Sequence, residues 1–307
     1  MRHSTTIATL LVALIPLWMG CTSEDHLVES QGSEEDEGVT VQESYGALIA
    51  SHSHDRSGDA GDMMLQAQVV EARGVRAAPA IRALDVWLPP QDIEVGECQF
   101  EEPQRPDVSV EGAASLRLLD VGDIEVTTPS QQIYLAPTRL PDLLASFHGV
   151  IYDRGFSADD LAYEPDQRWQ MWAPGAESTG PMDATMRTPE PMVLTGANGV
   201  AIADAQRRAL IDDDQDLELV WSNLSEDDQV FIELHTGQGL RATSVVCHSE
   251  DSGAFSVPAS KIRDLARHGD RVEMRIRRVR SGDIAIDGVE RAEYFFSVED
   301  ALEFGWR

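Results

Sequence analysis

Lysine is almost absent from this chain of 307 residues, since Lys261 is the only one and arginine supplies the rest of the basic side chains. Basic residues of both kinds are scarce: 24 Lys and Arg face 54 Asp and Glu, for a net charge of −30. So acidic a chain repels phosphate, and we expect no nucleic-acid partner. A saline habitat would suit this charge, because salt screens the self-repulsion.

Familiar catalytic signatures are missing as well. We find no G-x-S-x-G nucleophile elbow, no H-E-x-x-H zinc helix, no P-loop and no G-x-G-x-x-G fingerprint. The carboxylates are too numerous for any pair to be singled out as a glycosidase acid and base. We therefore expect a non-catalytic protein, although a secreted hydrolase with a site built from scattered carboxylates stays open.

A single sustained apolar run lies near the start, from Ile7 to Leu17, after the charged Arg2 and before the small Gly20. A charged start, a short apolar core and a small residue predict a secretory signal peptide over residues 1–20. The run is too short to make a comfortable transmembrane helix.

The end of this signal, Leu17-Trp18-Met19-Gly20-Cys21, resembles the lipobox of bacterial lipoproteins. Gly20 and Cys21 fit that pattern, whereas Trp18 and Met19 replace its usual aliphatic and small residues. The resemblance implies that Cys21 is acylated and anchors the protein in a membrane. By the same analogy, Thr22 after the cysteine favours the outer membrane. An ordinary cleaved signal with an incidental cysteine is the alternative.

The segment after Cys21 is strongly acidic. Residues 22–50 contain eight Asp or Glu and no Lys or Arg, with a block of charge at 33–38. A segment of this kind buries too little apolar area to offset its ordering entropy. We predict a disordered acidic tether over residues 21–60.

The clearest folded unit is the stretch 216–259. Leu217, Leu219 and Trp221 alternate with outward-facing residues, so they give a strand one apolar face. Three more short strands follow between acidic or glycine-rich turns, and this spacing is typical of a β-sandwich.

We therefore predict an all-β fold with two β-sandwich domains, residues 61–190 and 191–307. The division lies at the end of a segment rich in proline, glycine and threonine. We also predict a strand over 81–88, a helix over 260–267, and a short turn or helix over 301–306.

Two cysteines remain after Cys21. Cys98 and Cys247 would both lie in an oxidising compartment, where exported proteins rarely keep spare thiols. We predict a disulfide between them, and two buried free thiols are the alternative.

Charged clusters supply two candidate sites. Arg275, Arg277, Arg278 and Arg280 lie within the segment MRIRRVR and would form a basic stripe for an anionic ligand, unless they pair with neighbouring carboxylates. Asp212, Asp214 and Asp216 alternate as in a calcium loop, but the glycine and glutamate of an EF-hand are absent. A looser Ca²⁺ site and an acidic turn are the two interpretations.

Tryptophan offers a third candidate. Trp169 and Trp172 fall on opposite faces of one predicted strand, so one faces the core and the other faces outward. The outward ring is either a platform for stacking sugars or part of an edge or interface.

One wider resemblance covers about residues 60–307. The lipobox, the acidic tether, the early Cys98 and the C-terminal motifs resemble those of Gram-negative lipoproteins whose C-terminal halves are immunoglobulin-like sandwiches. In the C-terminal half, the resemblance rests on Trp221, Cys247, Gly253, Phe255, Val257 and Pro258.

These motifs specify packing and carry no activity. We expect a non-catalytic binding or structural module of the cell envelope, held in the membrane by its lipid, with an envelope protein or a glycan as its partner. A carbohydrate-binding module with Ca²⁺ is the alternative.

Overall fold

The structure is a computed structural model, and it describes residues 42–54, 61–82, 84, 86–101, 115–140, 147–202, 208–222, 224–237 and 242–306. The predicted signal peptide, Cys21 and most of the predicted tether lie outside these residues.

The described residues are mostly β, which confirms the all-β prediction. The strands of the first half are β1 (Gln42–Ser53), β2 (Met63–Arg73), β3 (Cys98–Glu101), β4 (Ser115–Leu118), β5 (Ile124–Thr127), β6 (Gln132–Leu135), β7 (Thr138–Arg139), β8 (Phe147–Phe156), β9 (Arg168–Ala173) and β10 (Met182–Arg187). Those of the second half are β11 (Leu194–Ala197), β12 (Val200–Ala201), β13 (Arg208–Ile211), β14 (Leu217–Trp221), β15 (Gln229–Thr236), β16 (Thr243–Glu250), β17 (Ala254–Val257), β18 (Arg271–Asp283), β19 (Ala285–Ile286) and β20 (Arg291–Trp306). Two short helices are α1 (Ala77–Arg82) and α2 (Ala259–Ala266).

The strands form three sheets. An eleven-stranded sheet has the order β3-β16-β15-β18-β20-β1-β2-β4-β8-β7, and β13 also pairs with β20. A five-stranded sheet has the order β19-β10-β9-β5-β6, and a four-stranded sheet has the order β12-β11-β14-β17.

The small sheets cover apolar residues of the large one. Residues of the five-stranded sheet, such as Trp169 and Met171, pack against Leu65 of β2 and Phe296 of β20. The four-stranded sheet, α2 and strands β15, β16 and β18 enclose a second core. A third core places α1 against Tyr45 and other residues of the large sheet. Side chains that alternate along β1 and β20 therefore reach different cores, as expected for strands buried on both faces.

The first strand corrects the predicted tether. We predicted disorder through residue 60, but Gln42–Ser53 form β1, which lies between β20 and β2. Residues Tyr45 to Ala50 are buried, because the acidic residues lie before them and the run itself is apolar. Burial of this run outweighs the acidic composition that suggested disorder.

Two local predictions were wrong. The described residues of 81–88 do not form a strand: the alanine-rich segment Ala77–Arg82 forms α1, and residues 84 and 86–88 belong to neither a helix nor a strand. Residues 301–306 are neither a turn nor a helix but the end of β20, because Leu302 and Phe304 alternate into a core. The helix over 260–267 is confirmed as α2 within one residue at each end.

The four strands predicted within 216–259 are all present, as β14 to β17. They divide between two sheets: β14 and β17 pair in the four-stranded sheet, while β15 and β16 pair in the large one. Their apolar faces meet in one core, as in a sandwich. The division at residue 190 stays a prediction, although the large sheet takes strands from both sides of it.

Candidate functional site

The outer face of the five-stranded sheet carries exposed aromatic rings. Strand β9 alternates strictly, so Trp169 is 0% exposed in the core while Trp172 is 48% exposed on the opposite face. Tyr134 of the edge strand β6 is 51% exposed. The sequence predicted that one of the two tryptophans would face outward, and the structure identifies it as Trp172.

Strand register brings these rings into one row. Glu125 of β5 pairs with Tyr134 of β6 on one side and with Trp172 of β9 on the other. Trp172 in turn pairs with Asp183 of β10. The two aromatic residues are two strand spacings apart, about 10 Å, with a carboxylate between them. We call Asp183, Trp172, Glu125 and Tyr134 the aromatic row.

Few polar side-chain atoms of the aromatic row form hydrogen bonds with other described residues. The Thr127 hydroxyl donates to Glu125 Oε1 at 3.4 Å. The Trp172 indole N–H, the Tyr134 hydroxyl and the Asp183 carboxylate make no hydrogen bond with any described residue. Two ring faces with free donors and acceptors beside them suit a ligand that stacks and carries hydroxyl groups.

The sequence offered no signal for Tyr134 or Glu125. Each lies in a short strand of ordinary composition, and only the pairing of β6, β5 and β9 places them in one row with Trp172. Their place in the row depends on the order and register of the strands, and the sequence does not predict either one.

A second feature is a groove of about 570 Å³ on the large sheet, across β18, β20, β1, β2 and β8. One row of paired residues crosses it: Ser297 pairs with Ser51, Ser51 with Met64, and Met64 with Gly155. Trp87 and Arg277 line one side of it.

The arginines of the groove are bound to protein carboxylates. Arg277 is buried and donates to Glu233 and to Glu299, the latter at 2.9 Å, while its guanidinium carbon lies 4.5 Å from the centre of the Trp87 ring. Burial alone raises the pKa of the Glu233 carboxyl, but Arg277 and hydrogen bonds from His235 and Trp87 outweigh burial and lower that pKa to about 2. Glu233 is therefore ionised and neutralises Arg277.

The predicted basic stripe is not one surface. Arg275 and Arg277 line the groove, whereas Arg278 and Arg280 point to the other side of β18, because neighbouring strand residues alternate. Arg278 is fully buried and donates to Asp251 Oδ2 at 2.7 Å, and Arg280 forms a two-point pair with Asp228. Arg275 pairs with Glu273 on its own strand. All four pair with carboxylates, which was the alternative interpretation.

The three aspartates proposed for Ca²⁺ lie in the turn before β14, and the structure does not gather them into a site. No group of three or more His, Cys, Asp or Glu within the described ranges is placed to hold a metal ion. Asp216 instead accepts a hydrogen bond from the backbone N–H of Ala259 at 2.7 Å, at the first residue of α2. This contact satisfies one of the free N–H groups at a helix start.

Cys98 and Cys247 form a disulfide, as predicted. They lie directly opposite each other on β3 and β16, so the bond fastens the short edge strand β3 to the large sheet. Cys21, the predicted lipidation site, lies outside the described residues. None of the described helices is both long and apolar enough to cross a membrane.

No protein-family model matches the chain, and neither does any curated protein. Among solved structures, the yeast delta-COP-I mu-homology domain complexed with a Dsl1 WxWxV peptide is 8% identical, with a TM-score of 0.24, over 87% of this chain and 98% of that one. The same yeast domain without the peptide gives 9% identity and a TM-score of 0.23 over 87% and 97% of the two chains. Similarity this weak supports no inference about fold or function.

Proposed function

We propose that this protein is a non-catalytic binding protein of the cell envelope that holds a polysaccharide on the outer face of its five-stranded sheet. The aromatic row carries the proposal, because Trp172 and Tyr134 are exposed on the same face of the sheet and flank Glu125. This is the arrangement that separates a sugar-binding protein from a purely structural one.

The distance between the two aromatic rings favours a polysaccharide ligand over a single sugar. The rings are about 10 Å apart across the strands, so one ligand must be extended to touch both. Stacking on two exposed rings and hydrogen bonds to Glu125 and Asp183 suit a long, hydroxyl-rich ligand.

The proposed anchor fits this role. A lipid on Cys21 would hold the protein at a membrane, in our proposal the outer membrane, and residues 22–41 would separate that membrane from β1. A binding face on such an anchor would keep a polysaccharide close to the cell. Ca²⁺ has no part in the proposal, since the described residues do not gather ligands for it.

The test is retention on insoluble polysaccharides. Chitin and cellulose would be incubated with the wild-type protein, with Trp172→Ala and with Tyr134→Ala, and the free protein measured across a range of polymer concentrations. We expect binding to at least one polymer and a weakening of about tenfold or more for Trp172→Ala, which corresponds to about 1.4 kcal/mol.

A matched control is available on the other small sheet. Val220 is 46% exposed on the four-stranded sheet, so Val220→Ala removes a comparably exposed side chain away from the aromatic row. It should bind like the wild type. Equal binding by Trp172→Ala and the wild type, or failure of the wild type to bind any of these polymers or chitosan, would sink the proposed function.

A further inference from the structure

We infer that the polysaccharide carries amino groups, so that the aromatic row recognises a cationic polymer of the glucosamine type. This inference rests on the proposed function and adds the chemical class of the ligand. It follows from where the charges of the row lie and from the charge of the whole chain.

The carboxylates lie where a stacked sugar would present its substituents. Glu125 is between the two rings, and Asp183 is on the other side of Trp172. Thr127 contacts only Oε1 of Glu125, and no described residue bonds to Oε2 or to the Asp183 carboxylate. A sugar stacked on either ring therefore meets a carboxylate with a free oxygen.

Basic groups on this face are farther away or already bound. Arg168 and Arg187 pair with each other in register, four residues along the strands from Trp172 and Asp183, or about 13 Å. Arg187 also forms an ion pair with Asp166, and Arg168 donates to the Thr185 hydroxyl. At the β6 edge of the row, Arg154 donates to the backbone carbonyl of Tyr134 at 2.9 Å and places one positive group at that end. Glu125 and Asp183 place two negative charges on either side of Trp172, so the part of the row around that ring is negative.

The net charge of the whole molecule also favours a cationic ligand. A net charge of −30 repels polymers of uronic acids or phosphates and attracts polycations before contact. Neutral sugar hydroxyls can also donate to Glu125, but a hydrogen bond between an ammonium and a carboxylate is roughly twice as strong as a neutral one. We therefore expect neutral polymers to bind more weakly than amino-bearing ones.

The experiment compares chitosan with chitin, because the two share a backbone and differ in whether the amine is free or acetylated. Binding would be measured in mildly acidic buffer, in which the free amines of chitosan are protonated. The proteins are the wild type, Glu125→Gln, Asp183→Asn and Glu218→Gln. Glu218 is exposed on the other small sheet, so its variant removes the same charge at a distance from the row.

We expect the wild type to bind chitosan at least tenfold more tightly than chitin. Glu125→Gln should lose most of that difference, because its binding to chitosan should weaken much more than its binding to chitin. Asp183→Asn should lose part of the difference, and Glu218→Gln should lose none. The difference should also shrink at about 1 M salt, where the screening length falls to about 3 Å. Circular dichroism would confirm that each variant is folded.

The outcomes separate the inference from the proposed function. Equal binding to both polymers by the wild type, or a chitosan preference that Glu125→Gln and Glu218→Gln change alike, overturns the inference. The second result would mean that chitosan adheres to the acidic molecule as a whole. In either case a loss of binding in Trp172→Ala would leave the proposed function standing, whereas no effect of Trp172→Ala on any polymer would remove both.

Discussion

At the scale of single residues, the buried arginines are structural. Arg278 donates to Asp251 and to the backbone carbonyls of Glu190, Pro191 and Ser222. Asp251 also accepts from the Trp221 indole at 2.6 Å. This network joins β18 to the segments that lead into and out of the four-stranded sheet, so it fixes how that sheet packs.

Replacing this arginine should be costly. Arg278→Ala leaves Asp251 buried without its counter-charge, and loss of one partner of a buried pair typically costs about 3–5 kcal/mol. Arg275→Ala on the same strand removes a partly exposed pair with Glu273 and should cost about 0–1 kcal/mol. Urea unfolding measures both free energies, and similar losses in the two variants would contradict the structural role of Arg278.

The sequence predicted the tryptophans and the arginines of these strands only in part. Alternation along β9 was enough to predict that one tryptophan faces outward, but it could not say which, because both faces of an isolated strand look alike. The role of the arginine segment could not be predicted for a related reason. Its side chains alternate between two faces, and apart from Glu273 on the same strand the carboxylates that neutralise them come from β15, β20 and two loops.

At the scale of elements, β1 holds the large sheet together. It runs parallel to β20 and antiparallel to β2, and so lies between the strands of the C-terminal half and β2, β4, β8 and β7 of the N-terminal half. Composition alone had assigned it to a tether, because its neighbours are acidic. The alternation of apolar residues was a reliable strand signal for β9 and β14, whereas long-range partners decide the place of β1.

Removal of β1 should therefore prevent folding. A chain that starts at residue 61 leaves β20 and β2 with unpaired edges and exposes the two cores to which β1 contributes, so it should aggregate or show no cooperative transition. A chain that starts at residue 40 keeps β1 and should unfold cooperatively. Thermal unfolding followed by circular dichroism compares them, and equal midpoints would show that β1 is dispensable.

At the scale of the whole molecule, a large sheet packs against two smaller sheets, and the outer face of one of them carries exposed aromatic rings. The acidic surface fits such a binding protein, because it discourages anionic partners and leaves stacking and hydrogen bonding at the aromatic row to select the ligand. The groove on the large sheet is a second candidate surface, but its arginines are already neutralised by Glu233, Glu299 and Glu273.

The most direct test of this account is a crystal structure of residues 40–307 with a chitosan hexasaccharide. We predict that the sugar lies across the five-stranded sheet, with rings stacked on Trp172 and Tyr134 and an amino group within hydrogen-bonding distance of Glu125. A hexasaccharide bound in the groove beside Trp87 and Ser297, with the aromatic row bare, would contradict it.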